Sequence, residues 1–245
     1  MSDHQNYLQA FSALQAMRET MKALARTKGT AQKQAAPLNA SHMARILDTL
    51  DDEARTADPS TRSGDRCRIT AYRDAALIAL AYDLFGRRSE VVALDVEDLD
   101  RDPDGSAAAI IRRSKIDQEG KGATVYVAPD TLRRLDRWTR VASITTGPLF
   151  MGTGPNASGN RLDGADVLRI MRRRAKQTGI ANADQITGHS ARVGAAQDAI
   201  AEGADILAVQ QAGRWKGAAM SARYGERLAI KRGASAQLAK AQGRA

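Results

Sequence analysis

The chain has few of the residues that build metal centres and disulfide frameworks. Its 245 residues include one cysteine, Cys67, and three histidines, His4, His42 and His189. A single cysteine excludes a disulfide within the chain and a cysteine-rich metal site. The histidines are far apart in the sequence and form no pair of the HExxH kind. We therefore expect neither a metal nor another cofactor.

Long apolar runs are also missing. No stretch is apolar over the length that crossing a bilayer requires. The first residues, MSDHQNYL, lack the basic and then apolar pattern of a signal peptide. We expect a cytoplasmic protein with no membrane partner.

Acidic residues are the minority among the charged ones. The chain has 37 Lys and Arg against 28 Asp and Glu, a net charge of +9 and a sequence pI of about 10.0. Basic residues are concentrated at 161–176 and from Arg223 to the end. A solvated charged face would explain such runs, but a surface of this sign also attracts polyanions. The composition favours a nucleic-acid partner over a small-molecule substrate.

The first 41 residues differ in pattern from the rest. Apolar residues recur every three or four positions within 4–26, which predicts one amphipathic helix. A single helix cannot bury its apolar stripe by itself, so this stripe needs a partner. Residues 27–41 are small, polar and aperiodic, which predicts a linker. The remaining length suits one large domain.

Helical periodicity dominates that domain. We predict a helix capped by Asn39 or Ser41, followed by a polar, exposed segment near 56–66. Further helices are predicted at 71–85, 89–94, 130–142, 163–178, 190–202, 205–212 and 217–228. Two strands, 107–113 and 123–128, flank a charged turn with glycines. The predicted fold class is mainly α (α+β), with one small antiparallel sheet.

Residues with phosphate chemistry are concentrated between Thr187 and Tyr224. His189 and Arg192 are one helical turn apart, so their side chains project to the same side of a helix. The planar fork of arginine matches two phosphate oxygens, and histidine can accept or donate a proton. Tyrosine can form a covalent phosphoester. The segment therefore suits a phosphodiester substrate.

A second cluster lies at a predicted helix break. Arg87, Arg88 and Glu90 follow Gly86 directly, and an arginine at a break can turn into a cleft where a carboxylate holds it. An isolated Arg–Glu pair is more often a surface salt bridge that contributes about 0–1 kcal/mol. His189 and Tyr224 alone also fit ordinary structural roles. Their order and spacing together favour a catalytic set.

Three motifs carry a resemblance to a known family: RRSE at 87–90, GHSARVGAA at 188–196 and QAGRW at 211–215. Over about residues 35–228 the chain resembles the tyrosine recombinases, or phage-type integrases, in the branch that includes Cre recombinase. The resemblance implies the tyrosine-recombinase catalytic-domain fold at 42–228. It also implies that the 1–26 helix is the remnant of an N-terminal core-binding domain. The basic tail at 229–245 is similar to a segment that relatives pass to a neighbouring subunit.

The resemblance implies a catalytic set of Arg87, Glu90, Lys115, His189, Arg192, Trp215 and Tyr224. Tyr224 would attack the scissile phosphate while Arg87 and Arg192 hold its non-bridging oxygens. His189 is the implied base and Lys115 the implied general acid. Trp215 stands where many relatives have histidine; its indole N–H can donate a hydrogen bond but cannot shuttle a proton.

The implied function is site-specific recombination of double-stranded DNA through a 3′-phosphotyrosine intermediate, without metal or ATP. The implied assembly is a homo-oligomer, a tetrameric synapse on DNA formed from subunits that are monomers when free. Relatives have a full helical domain where this chain has one predicted helix. Two alternatives are therefore open: a truncated or degenerate non-catalytic DNA-binding protein of the same fold, and a type IB topoisomerase-like enzyme.

Overall fold

The computed structural model describes residues 15, 17, 19, 20, 35–112, 122–154, 159–217, 220, 223–225 and 234–244. The chain divides into two compact units, Met1–Gln34 and Ala35–Ala245. In the first unit the described residues are helical, at positions inside the predicted 4–26 helix. Met17, a member of the predicted apolar stripe, is 62% exposed.

Helices make up most of the second unit. In chain order they are α1 (Ala40–Thr56), α2 (Arg62–Asp83), α3 (Arg88–Ala93), α4 (Pro129–Val141), α5 (Gly164–Gln177), α6 (Ser190–Ala201), α7 (Ile206–Gly213) and α8 (Ala234–Ala241). Short 3₁₀ helices lie at Val96–Asp98 and Ala183–Gln185. Met220 and Arg223–Gly225 are also helical, inside the predicted 217–228 helix. None of the helices in the described residues has the length and apolar character needed to cross a membrane.

The ends of the helices explain which sequence predictions succeeded. Asn39, not Ser41, caps α1, and its side chain accepts a hydrogen bond from the His42 N–H at 3.0 Å. The segment near 56–66 is exposed or partly exposed, as predicted, and α2 begins inside it at Arg62, capped by Thr61. Its first turns are polar, so they carry no apolar stripe to reveal the helix. The Ala-rich α8 was not predicted; alanine has the highest helix propensity.

The sheet has three antiparallel strands in the order β1 (Leu99–Arg101), β2 (Ala107–Ile111) and β3 (Ala123–Val127). The two predicted strands are β2 and β3. The sequence missed β1, which is only three residues long and therefore too short to show alternation. The turn predicted between β2 and β3 lies outside the described residues, apart from Gly122.

Helix α2 lies at the centre of the core and contains a buried ionic cluster. Asp74 is fully buried and accepts hydrogen bonds from Arg73 Nε at 3.0 Å and from Arg174 Nε and Arg173 Nη2, both at 2.7 Å. A buried carboxylate is tolerated when guanidinium groups satisfy it in this way. Because Arg173 and Arg174 belong to α5, the cluster joins α5 to α2. The cluster holds α2 in place, and the C-terminal end of α2 leads into the candidate site.

Helix α6 packs closely against the start of the unit. Gly194 faces the backbone of Leu38, and a β-carbon at this position would overlap the Leu38 carbonyl group. Asp198, one turn further, accepts hydrogen bonds from Tyr82 Oη and from the Ala40 N–H, both at 2.6 Å. These contacts tie α6 to α1 and α2. The first turn of α6 is therefore held in place at the candidate site.

Candidate active site

The arginine box lies at the break between α2 and α3. Phe85 has a positive φ of 44°, a left-handed conformation that reverses the chain after α2. Arg87 is the N-cap of α3, and Glu90 reaches back to accept the Arg87 backbone N–H at 2.9 Å. This capping arrangement turns the Glu90 carboxylate inward, where its side chain is 2% exposed.

Two arginines from distant parts of the chain share the Glu90 carboxylate. Arg87 Nη1 donates to Oε1, and Arg214 Nη2 donates to Oε2 at 2.6 Å. Burial raises the pKa of Glu90, but the charge of Arg214 and the hydrogen bonds and charge of Arg87 outweigh it. The net result is a lowered pKa, so the carboxylate stays ionised at neutral pH.

Arg192 is buried on the first turn of α6. Its Nη1 donates to the Phe85 carbonyl at 2.8 Å and its Nη2 donates to the Gly213 carbonyl. Burial, followed by repulsion from Arg87, lowers the pKa of Arg192 to about 10, although Glu90 opposes that shift. The guanidinium group is still charged at neutral pH, in a setting where Arg87 and Arg214 outnumber the one carboxylate of Glu90.

His189 is exposed beside this arginine, at the N-cap of α6. The protein around it partly desolvates the imidazole, and Arg192, Arg87 and Arg88 repel its charged form. Both effects lower the pKa of His189. The ring is therefore neutral at neutral pH and can accept a proton.

The turn after α7 supplies three successive contacts to the site. The Gly213 carbonyl accepts from Arg192, the Arg214 guanidinium binds Glu90, and the Trp215 ring packs on Arg192, whose guanidinium carbon is 4.4 Å from the ring centroid. Trp215 also contacts Tyr224, with ring centroids 5.2 Å apart and planes tilted by 43°. Tyr224 is 8% exposed. Trp215 therefore packs between Tyr224 and the arginine cluster.

This geometry makes a site that is short of negative charge. Three guanidinium groups, those of Arg87, Arg192 and Arg214, surround one carboxylate, Glu90. The lowered pKa values of Arg192 and His189 both result in part from that excess of positive charge. An anion such as a phosphate diester would relieve it.

Comparison with known proteins identifies the family. Residues 38–229 match the family described as the phage integrase family. The chain belongs to this family. The integrase/recombinase xerD homolog of Selenomonas ruminantium is 30% identical over 218 residues, which cover 85% of this chain and 59% of that protein. Recombinase cre of Escherichia phage P1 is 26% identical over 190 residues, 72% of this chain and 55% of that protein.

A solved relative supports the fold. The XerH site-specific recombinase bound to palindromic difH substrate, in a post-cleavage complex, aligns with a TM-score of 0.62 and 17% identity. The alignment covers 81% of this chain and 52% of that one. The predicted family and the predicted tyrosine-recombinase catalytic-domain fold are thus confirmed. The chain spans between half and three fifths of the length of these relatives.

Within this phage integrase domain, most of the predicted site residues lie in one connected cluster. Those linked through the contacts above are Arg87, Glu90, Arg192, Trp215 and Tyr224, and His189 is near enough for Arg192 and Arg87 to lower its pKa. Lys115 lies outside the described residues. Arg88 is exposed, with its side chain over Gly164 and Gly188, whereas Arg87 binds the Glu90 carboxylate.

Sequence reasoning missed Arg214. Its only signal in the sequence is its place beside Trp215 in QAGRW, one of the motifs that carry the family resemblance. No periodicity links it to Glu90, from which it is separated by 124 residues. Its hydrogen bond to Glu90 depends on the left-handed turn that ends α7, which the sequence alone does not reveal.

We expect Gly213→Ala to lower activity about 10²-fold, the effect that a misplacement of about 1 Å in an active site can have. A β-carbon here would overlap the six-membered ring of Trp215, which would have to leave Arg192 and Tyr224. The measurement is the rate at which the covalent protein–DNA complex implied by the family resemblance forms. Gly217→Ala is the matched control, because a β-carbon at Gly217 meets nothing within 4 Å. Equal rates for the two variants would contradict this role of the Gly213 turn.

Proposed function

We propose that this chain breaks and rejoins double-stranded DNA at a specific site through a covalent link between Tyr224 and a 3′-phosphate. The observation that carries the proposal is the positive cluster of Arg87, Arg192 and Arg214 around Glu90, joined through Trp215 to a nearly buried tyrosine. Such a cluster suits the charge that develops on a phosphate during transfer. The excess of basic residues over the whole chain suits a DNA partner.

In the proposed reaction, the Tyr224 oxygen attacks the scissile phosphorus and the bond to the 5′-oxygen breaks. Arg87 and Arg192 bind the non-bridging oxygens, and the Trp215 indole N–H donates to the phosphate. His189, neutral because of its lowered pKa, takes the phenolic proton. Lys115 protonates the leaving 5′-oxygen.

The second step reverses the first with another DNA end. A free 5′-hydroxyl attacks the phosphotyrosine, the bond to Tyr224 breaks, and a new phosphodiester forms. One phosphoester bond is exchanged for another in each step, so the reaction needs no ATP. Exchange between two DNA duplexes requires several active sites, and we propose a synapse of identical subunits in the cytoplasm.

The first test selects DNA that becomes covalently attached. Purified protein is incubated with a library of nicked duplexes containing a randomised segment, and DNA that resists detergent extraction from the protein is sequenced. We expect enrichment of one sequence. Covalent attachment and relaxation of supercoiled plasmid without sequence preference would instead indicate the type IB topoisomerase reading.

A non-catalytic DNA-binding protein is the second candidate. It would use the same excess of basic residues to hold DNA, without forming a covalent bond. Gel-shift titration at several salt concentrations separates the two candidates. Salt-sensitive binding with no covalent product from any duplex in the library would support the non-catalytic candidate and contradict the proposal.

A further inference from the structure

Arg214 occupies a backbone position that arginine seldom takes. It ends α7 in the left-handed conformation, with φ 52° and ψ 45°, and its N–H donates to the Gln211 carbonyl at 2.9 Å. Glycine or asparagine is usual at such a helix end. The backbone hydrogen bond of this turn does not account for an arginine at position 214.

The Arg214 guanidinium group binds three partners. Arg214 Nη1 donates to the Leu84 carbonyl at 3.0 Å and to the Ala212 carbonyl at 3.1 Å, and Nη2 donates to Glu90 at 2.6 Å. Leu84 is the C-cap of α2. One side chain therefore links three elements: the end of α2, the start of α3 and the turn that carries Trp215.

Arg214 and Arg87 hold opposite oxygens of one carboxylate. Without Arg214, Oε2 would keep only the Arg87 backbone N–H. The carboxylate could then rotate or take up a proton, and either change would release the Arg87 guanidinium from its position. The influence of Arg214 on a bound phosphate would thus be exerted through Glu90 and Arg87.

We propose that Arg214 is a positioning residue that fixes the Glu90 carboxylate, and through it Arg87, for phosphate transfer. The kinetic test of this inference rests on the proposed function, whereas the positioning of Glu90 by Arg214 does not. The groups that face this part of the site are Arg87 on the cap of α3, His189 and Arg192 at the start of α6, and Arg214 after α7. His189 is neutral and the three arginines are positive, so none of these groups adds a negative charge beside Glu90.

The sign of the pH effect follows from the balance at Glu90. Burial raises its pKa, and Arg214 provides the largest opposing attraction. Replacing Arg214 by a neutral residue leaves burial less opposed, so the pKa of Glu90 moves up. A group with a depressed pKa in the folded protein contributes stability that is lost as the pH falls through that value. In the variant this contribution is smaller because the pKa is less depressed, and the ionised carboxylate that holds Arg87 is lost at a higher pH, so the acid limb of activity moves up with it.

The test compares Arg214→Gln with Arg133→Gln, a control that removes one exposed positive charge from α4. The first readout is the titration of the Glu90 carboxyl carbon by NMR, assigned by its disappearance in Glu90→Gln. It requires no catalysis, so it stands even if the proposed function fails. We expect the Glu90 midpoint to move to higher pH in Arg214→Gln and to stay at the wild-type value in Arg133→Gln.

The second readout is the rate of covalent complex formation from about pH 5 to about pH 9. We expect Arg214→Gln to be slower by about 10–100-fold, as for other residues that orient active-site groups, with the largest loss at the acid end. In a Glu90→Gln background the same substitution should cost less than about threefold, because the two residues act as one unit. An unchanged Glu90 midpoint, or an equal loss at every pH, would overturn the proposal.

Thermal unfolding shows whether Arg214→Gln is folded. If it is not, Arg214→Lys takes its place in the NMR titration. Lysine keeps the positive charge but offers a single ammonium in place of the planar fork, so it cannot reproduce all three of these hydrogen bonds. We expect a smaller upward shift of the Glu90 midpoint; no shift in a folded Arg214→Lys protein would overturn the proposal.

Discussion

Replacement of Tyr224 by phenylalanine is expected to abolish the covalent protein–DNA complex. The variant lacks the phenolic oxygen that would bond to phosphorus, and no other group can replace a missing nucleophile. Phenylalanine keeps the aromatic ring that packs 5.2 Å from Trp215, so the local packing survives. The measurement is denaturing gel electrophoresis with end-labelled nicked DNA.

Non-covalent binding should change by less than about twofold in this variant, since contacts to the phosphate backbone dominate affinity. Tyr126→Phe is the matched control, because Tyr126 is 62% exposed on β3 and has no part in the proposed reaction. A covalent complex from Tyr224→Phe at the wild-type level would exclude Tyr224 as the nucleophile. Loss of the complex in both variants would show that the assay does not report on Tyr224.

Replacement of Arg192 by glutamine is expected to slow covalent complex formation by about 10²–10³-fold. That range is the effect of removing one preorganised donor from the charge that develops in a transition state. The lowered pKa of Arg192, about 10, results mainly from its burial, and a buried charge interacts more strongly with a bound phosphate than an exposed one does. Single-turnover rates at saturating protein measure the chemical step directly.

Arg192 also supports the site by binding the carbonyl groups of Phe85 and Gly213. The thermal unfolding of Arg192→Gln is therefore measured together with its rate, to show that the variant is folded. Arg133→Gln is the control for the lost charge. A folded Arg192→Gln protein whose rate is within threefold of wild type would contradict the proposed role of Arg192.

The sequence predicted the elements that have a strong period and missed those that depend on contacts between distant residues. The helices from α4 to α7 and the β2–β3 pair follow directly from apolar spacing. The first turns of α2 did not, because residues 62–70 are mostly polar and none of them is buried. Strand β1 is defined by its pairing with β2, which a three-residue stretch does not reveal.

In the candidate site, too, some residues could be predicted from the sequence and others depend on contacts between distant residues. His189, Arg192, Trp215 and Tyr224 could be selected because their residue types suit phosphate chemistry and their spacing is that of a known family. Arg214 could not, since its contact with Glu90 depends on a left-handed turn at the end of α7. The lowered pKa of Glu90 was equally hidden, because it results from two arginines that lie 127 residues apart in the chain, at positions 87 and 214.

The most direct measurement identifies the bond itself. Covalent complex formed on a selected nicked duplex is digested with protease, and the DNA-linked peptide is sequenced by mass spectrometry. The freed DNA end is tested in parallel for labelling by polynucleotide kinase, which requires a 5′-hydroxyl. The proposed function predicts a peptide joined through Tyr224 to a 3′-phosphate and a 5′-hydroxyl that accepts label. A link through another residue, or a 5′-phosphate link to the protein, would contradict it.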